Sequence, residues 1–106
     1  MKRTLYEEKN DDIWIKILVY ESDEGKIIVE GHDSGPRVKS IKGRDDYEYR
    51  LTIEKEEVSS WKNKLGLANT QELFTCLENE YSTYKAISQL QKRLESLGVK
   101  AQFSSW

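Results

Sequence analysis

Two stretches that alternate apolar and polar residues constrain this fold more than any other feature. In Ile13–Val19, isoleucine or valine takes every second position. In Tyr47–Ile53, tyrosine, leucine and isoleucine alternate with charged residues and threonine. A period of two with β-branched residues is typical of a strand with one buried face. The sequence therefore predicts a β-sheet whose apolar side must be covered by another layer.

Weaker signals predict the rest of the sheet. Ile27–Glu30 is predicted to form a hairpin with the strand before it, through the turn at Glu21–Lys26. Leu5–Tyr6 is predicted as a short first strand, and the alternation in Val99–Trp106 predicts a final one. The segment from residue 31 to residue 46 contains the only proline and three of the six glycines, so it is predicted to be irregular.

Apolar residues at helical spacing predict helices in the second half of the chain. Val58–Leu65 presents one apolar face. Asn69–Glu72 resembles a capping box, and the apolar stripe behind it runs from Leu73 to Leu97. Poor helix formers interrupt this stripe, which predicts two helices with a new N-cap at Ser82 or Thr83.

These elements together predict an α+β fold in one domain that spans residues 1–106. An antiparallel sheet of about four strands packs on two or three helices, and a C-terminal strand can rejoin the sheet. The predicted core consists of strand and helix residues from the apolar stripes: Ile13, Ile15, Ile17, Val19, Leu51, Ile53, Trp61, Leu73, Leu77, Leu90 and Leu94.

Charge and cysteine content limit the class of partner and the compartment. The net charge is −2, so the basic balance of a nucleic-acid-binding protein is absent and no nucleic acid is expected. Residues 1–60 hold 15 acidic against 11 basic residues, which suits a basic partner. The single cysteine, Cys76, is predicted to be buried and excludes an intrachain disulfide. No long apolar run is present, so a cytoplasmic protein without a membrane partner is expected.

Polar residues that could carry chemistry gather around the irregular segment. His32 is the only histidine, and a metal site needs three or four ligands, so no metal or cofactor is expected. Asp46 and Glu48 are predicted to share one strand face, as a solvated or a charged contact surface. No nucleophile, base and oxyanion donors accompany them, and an enzyme is therefore not predicted.

Three patches of the sequence resemble a group of small bacterial proteins. The patches are Gly31–Pro36, Gly43–Thr52 and Leu97–Trp106. Related chains show a Gly-Gln-Asp-Leu-Gly type loop, a strand with Glu-Tyr-Glu-Tyr and a closing strand that ends in aromatic-Ser-Trp. This chain differs at His32, where glutamine is more usual, and at Ser104, where an aromatic residue is more usual.

Proteins of this kind include the immunity proteins of bacterial toxin–immunity pairs, among them contact-dependent growth inhibition systems. The resemblance implies a cytoplasmic inhibitor that binds and blocks one cognate toxin, and a nuclease with a basic cleft would suit an acidic surface. The resulting hypothesis is a partner-binding surface formed by acidic residues with two others at its rim: Asp33, Asp45, Asp46 and Glu48, with Arg50 and His32.

Two other functions remain open from the sequence. One is a small-molecule or peptide-binding module that uses the loop at residues 31–46. The other is a hydrolase with a minimal carboxylate site, which ranks last. The apolar stripe from Leu73 to Leu97 has a spacing close to that of a coiled coil, so a monomer and a weak homodimer are both compatible with it.

Overall fold

The computed structural model describes all 106 residues. The chain forms five strands and four helices: β1 (Lys2–Lys9), β2 (Trp14–Glu21), β3 (Ile27–Ser34), α1 (Pro36–Lys42), β4 (Asp46–Ile53), α2 (Lys55–Leu65), α3 (Thr70–Glu80), α4 (Ala86–Leu97) and β5 (Gln102–Ser105). This arrangement confirms the predicted α+β class.

The strands form one antiparallel sheet in the order β1-β2-β3-β4-β5. Helices α2, α3 and α4 come between β4 and β5 in the chain, and β5 then returns to pair with β4. The sheet has one strand more than the predicted four, since β1 is a full strand of eight residues rather than a short piece. The predicted return of a C-terminal strand to the sheet is confirmed.

The strand register divides the sheet into two sides. Val19, Val29 and Leu51 lie opposite one another on neighbouring strands, and all three are fully buried on the side that the helices cover. We call this the helix side. The alternate residues form the opposite side, which we call the open face: Trp14, Lys16, Leu18, Tyr20, Ile28, Glu30, His32, Ser34, Asp46, Glu48, Arg50, Thr52, Gln102 and Ser104, with Trp106 just beyond β5.

The core lies between the helix side of the sheet and the helices. All eleven predicted core residues are buried. Nine further buried apolar residues complete the core: Leu5, Ile27, Val29, Val38, Val58, Phe74, Ala86, Ile87 and Val99. Cys76 was predicted to be buried but is partly exposed, because Leu73, Phe74 and Leu77 form the inward stripe of α3.

The prediction of an irregular segment at residues 31–46 is wrong. Strand β3 continues to Ser34, and α1 follows it directly. Pro36 occupies the first turn of α1, where its missing N–H group costs nothing. Gly43 ends the helix in the left-handed conformation at φ 79°. Only Val38 of this helix is buried, so no apolar period in the sequence reveals it.

The break in the second half of the chain falls where it was predicted, between α3 and α4. The side chain of Asn69 accepts a hydrogen bond from the Glu72 N–H at 2.9 Å, which confirms this residue as the N-cap of α3. The predicted N-cap of α4 is wrong by two or three residues, since the helix begins after Lys85 and has no side-chain cap. Thr83 accepts a hydrogen bond from the Lys85 N–H within the connecting turn instead.

We expect Gly31→Ala to lower the free energy of unfolding by about 1–3 kcal/mol through overpacking. A Cβ atom at this position would lie 2.1 Å from the ring of Tyr49, which packs across the glycine backbone. Urea unfolding measures the change. The matched background is Tyr49→Ala, in which the ring is absent and most of the cost should disappear. An equal cost in both backgrounds would show that the ring contact is not the cause.

Candidate functional site: the open face of the sheet

The open face carries aromatic and charged side chains on strands whose backbone is already paired. A groove of about 370 Å³ runs over it between two tryptophans. Trp14, on β2, is 40% exposed, and Trp106, after β5, is 47% exposed. Three strand spacings separate these two strands, about 14 Å in total. Lys16, Glu30 and His32 line the groove between the tryptophans.

Arg50 organises the centre of the groove. Its guanidinium forms an ion pair with Glu30 on the neighbouring strand and lies over the Trp106 ring, 5.2 Å from the centroid. The Tyr20 hydroxyl donates to the same Glu30 oxygen at 2.9 Å. Burial and this hydrogen bond raise the pKa of Tyr20. The bonds of Glu30 and the stacking on Trp106 hold the guanidinium in place, and its Nε is buried without a hydrogen-bond partner.

Trp14 is also held by its neighbours on the sheet. Its indole Nε1–H donates to Glu7 Oε2 at 3.1 Å, and the Lys9 ammonium lies 4.9 Å from the ring centroid. Both partners come from β1, which pairs with β2. The two tryptophans are therefore oriented by cross-strand contacts while a large part of each ring remains open to solvent.

The structure brings four of the six predicted site residues together on the open face. His32, Asp46, Glu48 and Arg50 all point to this side, with His32 Nε2 3.7 Å from Asp46 Oδ2. The predicted pairing of Asp46 with Glu48 on one strand face is confirmed. Asp45 is exposed in the turn before β4, at the edge of this group.

The prediction that Asp33 belongs to the same surface is wrong. Asp33 follows His32 within β3, and consecutive side chains of a strand point to opposite sides of the sheet. Its carboxylate is on the helix side, where Oδ1 accepts a hydrogen bond from the Tyr49 hydroxyl at 2.8 Å. The error follows from the assignment of this segment as irregular, because the alternation rule applies only to a strand.

Burial dominates the electrostatics of Asp33. It raises the pKa of this carboxyl, while the Tyr49 hydrogen bond and the charges of His32 and Lys42 act in the opposite direction. Burial also raises the pKa of Tyr49, and the hydrogen bond to Asp33 raises it further. No cation lies within ion-pair distance of the Asp33 carboxylate. A partly buried carboxylate is therefore held by one neutral donor.

The open face is mixed in sign rather than uniformly acidic. Lys16, His32 and Glu48 form one cross-strand row, and Glu30 and Arg50 belong to the next. Sequence reasoning missed the contributions of Lys16 and Glu30 and left Trp14 and Trp106 undecided. For Trp14, Lys16 and Glu30, the signal that could have found them is strand alternation, since each stands next to a core residue in its strand. Trp106 follows a strand without buried residues, so alternation does not reveal it.

The open face combines indole rings with paired charges. The structure contains no group of three or more His, Cys, Asp or Glu side chains that could hold a metal ion. None of the four helices has the length and apolar character needed to cross a membrane. Comparison with protein-family models, curated proteins and solved structures finds no match.

Asp33→Asn is expected to raise the free energy of unfolding at neutral pH. A carboxyl with a higher pKa in the folded than in the unfolded chain destabilises the fold once it is ionised, so the penalty is present above the folded pKa. It vanishes as the pH falls below the unfolded pKa of about 3.9. An asparagine at this position can still accept the Tyr49 hydrogen bond.

Urea unfolding at neutral pH and at about pH 3 tests this expectation, since the gap between variant and wild type should close in acid. Asp23→Asn is the matched control, because it removes the same charge from an exposed position of the β2–β3 turn. A variant less stable than the wild type at neutral pH would contradict the assignment.

Proposed function

We propose that this protein binds and neutralises a cognate bacterial toxin as an immunity protein, and that the open face is its contact surface. One observation carries the proposal: two oriented, half-exposed tryptophans flank an Arg50–Glu30 pair on a sheet face that no helix covers. The three sequence patches that resemble immunity proteins support the class of partner. The proposed role is binding, without catalysis and without a cofactor.

The composition of the open face supports a protein partner. Tryptophan, tyrosine and arginine are enriched where interfaces concentrate their binding energy. Trp14, Tyr20, Arg50 and Trp106 all lie on this face, and their neighbours already fix their positions. A surface ordered before binding loses less side-chain entropy on association, which raises affinity.

The charged residues of the open face support a partner with basic groups at one end. Asp46 and Glu48 are consecutive open-face positions on β4, and Asp45 is exposed beside them. Such a group would accelerate encounter with a basic surface, in a manner that salt weakens. Lys16 and Arg50 lie farther along the groove, so the partner that fits best carries both signs of charge rather than basic groups alone.

A second candidate function is the binding of a small molecule or a peptide in the same groove. Its volume of about 370 Å³ favours this alternative, because ligand pockets begin at roughly 300 Å³. Thermal stabilisation by a small ligand in the absence of any protein partner would support it.

The test of the toxin-binding proposal is neutralisation. Each member of a panel of bacterial toxin domains is co-expressed with this protein, and rescue of growth identifies the partner, whose affinity is then measured by calorimetry. Trp106→Ala is expected to weaken the complex at least about tenfold, as for a central aromatic residue of an interface. Gln89→Ala, exposed on α4 at the other side of the sheet, is the control.

The double variant Asp46→Lys and Glu48→Lys tests whether the acidic residues of the open face contribute to toxin binding. It is expected to weaken the complex and to reduce the effect of salt on the association rate, because it removes the acidic end of the open face. If neutralisation and affinity were unchanged in both Trp106→Ala and the double variant, the open face would be excluded as the contact surface. A panel without any rescue would count against the toxin as partner.

A further inference from the structure

The helical layer leaves a gap on the helix side of the sheet, between α1, α4 and β5. The gap forms a cleft of about 440 Å³, which we call the aromatic cleft, with Tyr47, Tyr49, Tyr84 and Phe103 in its lining and Asp33 beside them. Tyr84 is 58% exposed and Phe103 44% exposed, so two of the four rings are open to solvent. The open face and its groove are on the other side of the sheet.

Asp33 is the one acidic side chain in the aromatic cleft. One carboxylate oxygen accepts the Tyr49 hydroxyl, and the other has no hydrogen-bond or ion-pair partner. A partly buried carboxylate without a cation partner costs free energy, and a bound cation offsets part of that cost. Tyr49 itself is fixed by the close approach of its ring to Gly31. The carboxylate is therefore positioned by packed neighbours.

The rings in this region attract cations of the chain itself. The Lys42 ammonium lies 4.3 Å from the centroid of Tyr47, and Lys85 lies 5.6 Å from that of Tyr84. Tyr49 and Phe103 carry no cation over their rings. Lys42 also lines the cleft, but its ammonium is not within ion-pair distance of Asp33. The position next to Asp33 is thus lined by aromatic rings, and no cation of the chain forms an ion pair with the carboxylate.

We propose that the aromatic cleft is a second binding site, which receives an arginine side chain of a partner polypeptide. A planar guanidinium can both pair with the Asp33 carboxylate and stack on an aromatic ring of the cleft. An ammonium group is a strongly hydrated point charge without a flat face to stack. This site lies outside the open face, so the proposal does not rest on the toxin-binding role.

Lys42 allows a second test, in which arginine affinity is expected to rise rather than fall. Its positive charge lines the same cleft and competes with an incoming cation. Removal of the charge in Lys42→Met is therefore expected to strengthen arginine binding by about threefold, the size of a partly exposed charge interaction. Asp33→Asn is expected to weaken binding at least about tenfold, since it removes the charged partner.

The experiment titrates the ¹⁵N-labelled protein with N-acetyl-arginine amide and follows the amide signals by NMR. Saturable shifts are expected at Asp33, Tyr47, Tyr49, Tyr84 and Phe103. The matched probe is N-acetyl-citrulline amide, which has nearly the same shape without the charge and should produce no saturable shifts. Asp23→Asn is the matched protein control, as an exposed aspartate in the β2–β3 turn.

Three outcomes would overturn the proposal: equal binding of the citrulline probe, unchanged arginine affinity in Asp33→Asn, or shifts confined to the open face. Well-dispersed amide spectra establish that each variant is folded, and Lys42→Met provides a readout that does not alter the carboxylate. The titration needs no toxin, so its failure would leave the open-face proposal standing. Failure of the neutralisation test would likewise not contradict the arginine site proposed in the aromatic cleft.

Discussion

The sheet has one apolar side, and the rest of the structure depends on how that side is covered. Ile17, Val29 and Leu51 project from neighbouring strands to the helix side and must leave water. Helices α2, α3 and α4 follow one another in the chain and supply the second layer from that side, with large buried groups such as Trp61 and Phe74. Because all the buried helical residues contribute to one core, no element remains to cover the opposite side of the sheet. The open face is the direct consequence.

An uncovered sheet face needs polar partners of its own, and cross-strand pairs provide them. Glu30 accepts from Tyr20 and pairs with Arg50, and Arg50 stacks on Trp106. These contacts link β2, β3, β4 and the residue after β5, so the same bonds that order the surface also join the strands. These contacts hold the side chains in place before any partner binds. Such ordering reduces the side-chain entropy lost on association, which supports the proposed binding role.

The helix side of the sheet contains the partly buried carboxylate of Asp33. Gly31 lacks a side chain, the Tyr49 ring occupies that space, and the Tyr49 hydroxyl reaches Asp33. Burial raises the pKa of Asp33, so the ionised carboxylate at this position opposes folding at neutral pH. Ionisable groups with a strongly shifted pKa occur more often at functional sites than elsewhere. The arginine site proposed in the aromatic cleft would give this carboxylate such a role.

Local patterns in the sequence were sufficient for much of this fold. Alternation in Ile13–Val19 and Tyr47–Ile53, the Asn69 cap and the apolar stripe of α3 and α4 each act over a few residues, and the structure confirms them. The common face of Asp46, Glu48 and Arg50 was also predictable, because alternate residues of a strand point to the same side. Helix α1 was not predictable, because Val38 is its only buried residue and no apolar period marks the helix. Tertiary structure decided which side of the sheet stayed open, that Trp14 and Trp106 flank one groove, and that Asp33 faces the aromatic cleft. Those outcomes depend on strand order and register, which join residues far apart in the chain, and no local period encodes them.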